Sequence, residues 1–340
     1  MASERAVQRD WIIAIAAGLV SALMFLSMLT GNLFSLLLVY LAPLPLVLMG
    51  LGWGPAVSSM AAIAGTLILA IAVNLSIAAI FGLFYAAPLV FLTRIALRHA
   101  GEDEAKAENV QAWYPAGRIL TWIVGIALAL FLAVQLGLTA PYGGLVPVIE
   151  AQLEEMVPNP EVFLSQFREA GADMTKDEFF GLMARTIPGI VALFWCAVMV
   201  LNLTLGQTIV KLSGRNLRPD FDWLQVDLPF GLALALAAAM VAAFLPAGIG
   251  FIGGTAAVIL AAPYFLTGLI TAHSVSAGWV ARSDMPGVTG GLRMVALAFL
   301  YLLLLAPQGI GAQLISLLGI LDQWFSLRRR FAADPAAGTA

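Results

Sequence analysis

WIIAIAAGLVSALMFLSMLTGNLFSLLLVYLAPLPLVLMGLGWGP, residues 11–55, carries no charged side chain, and none follows until Arg94. A helix rises ~1.5 Å per residue, so about 20 apolar residues cross the ~30 Å hydrocarbon core of a bilayer. The uncharged run 11–93 is therefore four crossings long. Further uncharged runs cover 119–149, 186–210, 228–281 and 294–321. Hydrophobic residues make up 61% of the 340-residue chain and charged residues 11%. Soluble domains hold ~45–50% apolar and ~25% charged residues, so this composition excludes a soluble fold. The expected fold is all-α: a polytopic transmembrane helical bundle of about ten spans, between eight and ten, with a small helical extracytoplasmic insert.

Turn signals divide the runs. Gly31-Asn32, then Gly50 to Pro55, then Asn74 with Ser76 give spans near 11–29, 33–51, 55–73 and 76–97. A fifth span covers about 117–139, and a sixth 186–211. Pro229 opens a seventh, to about 245, and PAGIGFIGG (246–254) is read as a break before an eighth that ends near 272. The last stretch, 292–325, is interrupted at Pro307, Gly309 and Gly311. It is either two helices or one helix with a re-entrant turn. The first span continues into more membrane without a small-residue cleavage site, so it reads as a retained helix.

Lys and Arg concentrate on the cytoplasmic side of membrane proteins. With the N-terminus inside, ten spans place fourteen basic residues in cytoplasmic segments and three, Arg168, Lys176 and Arg185, outside. The resulting organisation is a cytoplasmic tail 1–10, membrane helices 1–5 in 11–139, an extracytoplasmic helical insert 140–185, membrane helices 6–10 in 186–325, and a cytoplasmic tail 326–340. The insert carries local folding signals. Asn159-Pro160-Glu161 is an N-cap with Pro at the first helical position, and Gly171 is a stop. Thr175 with Glu178 is a capping box, and Phe179 with Met183 gives one apolar face. Ile149, Leu153 and Met156 form a third, weaker stripe.

No catalytic pattern holds: HExxH, GxSxG and GxxxxGK[ST] are all missing. The chain is expected to be no enzyme and to need no cofactor. The lone Cys196 and two distant histidines, His99 and His273, make a poor metal set. Polar side chains inside spans are the remaining candidates. Asn74, Asn202, Gln207 and His273 are the candidate substrate-binding residues, although a polar group of this kind in a span more often serves as an interhelical hydrogen-bonding group. Gln135, Gln308 and Gln313 lie near helix ends. Ala14, Gly18 and Ala22 recur every four residues, a small-residue row that admits a close helix neighbour from this chain or another.

GILDQWFSLRRR (319–330) closes the apolar pattern. Trp324 and Phe325 fit an interfacial belt and the arginines a cytoplasmic stop, not a nucleic-acid site. Asp322 lies about one turn inside that interface, where an unpaired acid costs a few kcal/mol. Its candidate partners are Arg329, two helical turns on, and Arg293, with His273 third.

GRNLRP (214–219), Asp227-Leu228-Pro229, GLITAHSVSAGW (268–279) and GILDQWFSLRRR together resemble the YybS-like family of uncharacterised bacterial inner-membrane proteins. That family is distantly similar to the S components of energy-coupling-factor transporters, which bind a small molecule and dock on an ATPase module partly through small residues of their first helix. The resemblance implies a multi-pass protein of the bacterial inner membrane, both termini cytoplasmic, that binds or transports a small molecule. The implied partners are the lipid bilayer, a small-molecule ligand and another membrane protein through helix 1. The competing expectation is a non-transporting scaffold or assembly factor that acts through helix contacts.

Overall fold

The computed structural model describes residues 2–98, 113–169, 171, 173–221, 226–304 and 309–331. The expectations about His99, Lys106, Pro307 and Gln308 fall outside them. The helices are α1 Ala2–Leu26, α2 Leu33–Leu41, α3 Leu44–Trp53, α4 Pro55–Ala72, α5 Leu75–Phe81, α6 Ala87–Ala96, α7 Ala116–Tyr142, α8 Leu145–Met156, α9 Glu161–Glu169, α10 Lys176–Leu212, α11 Phe230–Ala243, α12 Ala247–Ala281, α13 Pro286–Leu304, α14 Ile310–Phe325 and α15 Leu327–Phe331. Among the described residues no strand forms, and the fold is all-α. Among the described residues eight segments are long and apolar enough to cross a bilayer, and α11 and α14 are shorter apolar helices. The chain is a multi-pass integral membrane protein, and its apolar exterior shows it: Leu33, Ile71 and Phe244 are 85, 86 and 88% exposed. Lipid is the medium that such a surface requires.

The chain forms two compact units, residues 1–123 with 196–228 and residues 124–195 with 229–340. In the first unit, α1 packs on α4 through the small-residue row. Ala14 and Ala22 are fully buried. A Cβ on Gly18 would stand 2.8 Å from Gly65 N, and one on Gly65 2.8 Å from Gly18 O. The two backbones touch because neither position has a side chain, which is how helices associate where lipid removes the hydrophobic drive. The expected second and fourth spans are each interrupted. A turn at Ala42-Pro43 separates α2 from α3, and a π-helical turn, Gly82–Ala86, separates α5 from α6. Buried Ser21 donates to Ala42 O at 2.6 Å, satisfying a hydroxyl that lipid could not.

GRNLRP is a folded loop in this unit. Gly214 adopts φ +66°, Leu217 N donates to Leu51 O, and Arg215 lies over the Trp53 ring. Arg218 is buried, donates from Nη1 to Ala96 O at 2.8 Å and stacks on Phe221. Its burial lowers its pKa to about 10, which still leaves a cation at neutral pH.

In the second unit, the insert has its own small core. Leu164, Phe179 and Phe180 are buried, with Leu153, Val157, Phe167, Met174 and Met183 around them. Asn159 Oδ1 accepts from Glu161 N, and Thr175 and Glu178 exchange the hydrogen bonds of a capping box. These bonds hold the Glu178 pKa below its ordinary range. Met156 departs from the expected stripe: it is 74% exposed, and Val157, just past the end of α8, packs instead.

Two expected breaks do not occur. The capping-box helix runs on through Pro188 to make α10 a single 37-residue helix. Its ~55 Å length exceeds the ~30 Å core, so its first turns stand clear of the hydrocarbon. Likewise α12 starts at Ala247, and the glycines of PAGIGFIGG lie inside it. A Cβ on Gly253 would meet the backbone of Ala242 and Ala243, so these glycines tighten the α11–α12 hairpin instead of breaking the helix. Further on, α12 packs on α14 by the same means. A Cβ on Gly319 would stand 2.7 Å from Thr267 Oγ1, and one on Gly268 2.8 Å from the carbonyl carbon of Ile315.

Candidate functional site

The four candidate substrate-binding residues do not converge. Asn74 is the N-cap of α5 and its Oδ1 accepts from Ile77 N at 2.8 Å. Asn202 is fully buried in the first unit, where Nδ2 donates to Tyr40 O and Val198 O. Gln207 Nε2 donates to Arg218 O at 2.9 Å and so holds the GRNLRP loop. Each of the three amides is tied to backbone and shapes the fold.

His273 is different. On α12 its Nε2 is hydrogen-bonded to the Tyr301 hydroxyl of α13 at 2.8 Å. One turn on, Ser276 Oγ donates to His273 O at 3.0 Å and accepts from Arg293 Nε of α13 at 3.2 Å. The α12–α13 hairpin thus gathers an imidazole, a phenol, a hydroxyl and a guanidinium along one seam. Arg293 is half-buried, seven residues into α13, and no carboxylate among the described residues pairs with it. A guanidinium has five N–H donors in a fixed fork. Four of these remain beyond the bond to Ser276, and carboxylate or phosphate geometry matches them.

Ser276 also lines an apolar cavity of about 350 Å³, with Thr271, Val275, Trp279, Leu318 and Leu327 around it. It is an open apolar hollow, joined to the polar seam through Ser276 alone among His273, Tyr301, Arg293 and Ser276. The end of the chain helps to wall it. At Ser326 the backbone takes a left-handed turn, φ 51°, that stops α14 and reverses into α15. Leu327 and Phe331 of α15 then face the cavity. The reversal is fixed by Asp322, whose Oδ1 accepts from Arg328 N at 2.7 Å and whose Oδ2 accepts from Arg328 Nε at 2.5 Å. Arg282 adds a hydrogen bond to Phe331 O at 2.7 Å.

That pairing corrects the sequence expectation. The acid binds Arg328, whereas Arg293 faces Ser276 and Arg329 is exposed. Helical spacing points to Arg329 only if the helix is continuous. The left-handed residue at 326 breaks the register and swings Arg328 back over the carboxylate. Both partners are buried, Asp322 to 3% and Arg328 to 8% exposure, and their pairing offsets part of the desolvation that an isolated acid would suffer.

Tyr301 and Arg328 are the residues that sequence reasoning missed. Tyr301 had a usable signal, being the single tyrosine of the uncharged run 294–321. Arg328 had none, because an αL turn at a serine leaves no pattern. The small-residue row of α1 sits on α4 of the same unit, so Ala14, Gly18 and Ala22 face a neighbour within the chain. Compared with models of known families, with curated proteins and with solved structures, the chain matches none.

Proposed function

We propose that this membrane protein binds a small anionic molecule at the α12–α13 seam and passes it to, or across, the membrane in the manner of a transporter's binding component. The observation that carries this reading is Arg293: a half-buried cation without a carboxylate partner among the described residues, beside a His–Tyr hydrogen bond and an apolar cavity. Intramembrane and interfacial cations are costly and are usually matched by an anion. Here the match would be the ligand. His273, hydrogen-bonded to the Tyr301 hydroxyl, supplies a second contact. The YybS-like resemblance supports the reading in one respect: its three longest motifs each have a structural task. GRNLRP docks the loop of the first unit, GLITAHSVSAGW supplies Gly268, His273 and Ser276, and GILDQWFSLRRR closes the cavity.

The proposal includes placement in a bacterial inner membrane with both termini cytoplasmic and the insert outside, as the basic-residue bias favours. The test is extraction of the purified, full-length protein and mass spectrometry of the small molecules it carries. An acidic compound should accompany the wild type and be depleted about tenfold in Arg293→Gln, the scale of one lost charge-assisted contact. Equal content in both, with thermal unfolding unchanged, would remove the basis for the proposal.

The scaffold reading keeps one observation. Helix α13 is apolar on several sides, with Val288, Met294, Val295, Phe299 and Leu302 all more than half exposed. A protein co-purifying with the wild type and lost on Val295→Lys would favour it.

A further inference from the structure

A groove on the first unit has the dimensions of a lipid chain. It lies between α4 and the segment from the π turn through α6, encloses about 520 Å³ and is lined by Ala62, Ile63, Thr66, Gly82, Ala86 and Val90, with Arg94 at one end. Small residues create it. Gly82 has no side chain to fill the space: a Cβ there would only reach ordinary contact with Thr66 Cγ2, at 3.5 Å. Ala62, Ala86 and Ala87 leave room in the same way. The π turn, Gly82–Ala86, holds one extra residue, and such turns recur at functional sites.

The walls are effectively apolar. Ser59 Oγ donates to Pro55 O and Thr66 Oγ1 to Ala62 O, so both hydroxyls of the lining are spent on their own helix. The groove faces outward, since Ile63 and Leu67 on its rim are 59 and 55% exposed. From Gly82 to Arg94 it follows about 18 Å of helical rise, close to the ~15 Å depth of one leaflet.

The charged end lies at headgroup depth. Arg94 is in the last turn of α6, exposed, and without an acidic partner among the described residues. One turn earlier Phe91 packs edge-on against Trp122 at 5.0 Å, and Trp122 Nε1 donates to the Tyr114 hydroxyl at 3.0 Å. A Trp–Tyr pair of this kind marks the interfacial belt of a membrane protein. The negative end of the α6 dipole accounts for a cation at this position. It does not account for a leaflet-length apolar trough leading up to that cation.

We propose that this groove is a specific site for an anionic phospholipid, one acyl chain lying along α4 and α6 and the phosphate meeting Arg94. The site is independent of the α12–α13 seam. The test uses the full-length protein in nanodiscs of equal phosphatidylglycerol and phosphatidylcholine, released and weighed with bound lipid by native mass spectrometry. The wild type should retain phosphatidylglycerol about fivefold over phosphatidylcholine, the worth of one basic residue at an anionic surface. Arg94→Gln, an exposed change that leaves packing intact, should abolish the preference, and Arg94→Lys should keep it. Ala87→Leu, at an exposed alanine of the lining, should obstruct the trough and lower retention of both lipids. Equal retention of the two lipids by the wild type, or a preference that survives Arg94→Gln, overturns the proposal. So does undiminished retention in a folded Ala87→Leu protein.

Discussion

Replacing Asp322 by Asn tests the reading of the chain's last two helices most directly. The carboxylate receives a backbone N–H at 2.7 Å and a guanidinium N–H at 2.5 Å, and both side chains are almost fully buried. Asparagine keeps the size and one acceptor oxygen, so it spares the backbone bond while it removes the charge. What remains is a buried Arg328 cation that has lost the charge of Asp322. Breaking a buried pair from one side costs ~3–5 kcal/mol, whereas replacing both partners by well-packed apolar groups is often neutral. Asp322→Asn should therefore lose ~3 kcal/mol in denaturant or thermal unfolding of the detergent-solubilised protein. The double variant Asp322→Asn, Arg328→Met should regain at least half of that loss. Arg329→Gln, the same charge change as at Arg328 but at an exposed residue, should cost clearly less than Arg328→Gln. If Arg329→Gln costs as much as Arg328→Gln, the continuous-helix register holds and the left-handed turn at Ser326 is wrong. If Asp322→Asn is as stable as wild type, the pair contributes nothing to the fold.

Gly18→Leu should destabilise the first unit by about 1–3 kcal/mol or prevent folding, because its Cβ would meet the backbone of α4; thermal unfolding in detergent reads this, and an unperturbed protein would contradict the α1–α4 contact. In a Cys196→Ala background, Asp173→Cys should react with an impermeant thiol reagent added outside intact cells, and reaction only after permeabilisation would invert the topology. Glu178 is a carboxyl whose folded pKa is lowered, by hydrogen bonds to the backbone N–H and hydroxyl of Thr175. Its contribution is present above the unfolded pKa of ~4.3 and is lost as pH falls through the folded value. Protection factors of the amides in the first turn of α10, corrected for intrinsic exchange, should fall below about pH 4, and Glu178→Gln should remove that dependence.

The membrane class was legible because it rests on a sum over long runs. No local error alters five uncharged stretches. The caps of the insert were legible for the opposite reason: Thr175 and Glu178 act over three residues and need no tertiary context. Continuity was not legible. Pro188 and the glycines of PAGIGFIGG carry breaker signals, yet both sit inside long helices. In a bilayer a broken helix leaves unsatisfied backbone groups, so the helix persists and neighbouring elements adapt around the breaker. The polar candidates were ambiguous on physical grounds too. Asn202 and His273 each lie in an apolar span, but one bonds two carbonyls and the other a tyrosine on a partner helix. Sequence shows that a polar group must be satisfied; which neighbour does so depends on how the helices pack.

The ion pair and the seam meet in α15. Leu327 and Phe331 form part of the cavity wall, and α15 is held in place by Asp322 with Arg328 and by Arg282 at Phe331 O. Stability of the last turn and occupancy of the cavity are therefore linked through one short helix. Anything that binds only the closed arrangement must stabilise the pair, by the mass-action logic that ties ligand affinity to folding. Two variants separate wall from contact. Asp322→Asn frees α15 and should lower both unfolding stability and the amount of bound molecule. Arg293→Gln leaves the wall intact, because Arg293 bonds to Ser276 on α12 and not to α15, and should lower bound molecule alone. If the two variants deplete the bound molecule equally while only Asp322→Asn is less stable, the cavity and the guanidinium serve one ligand. If Asp322→Asn loses stability but keeps its ligand, the last helix is an anchor, and the binding site is confined to the α12–α13 hairpin.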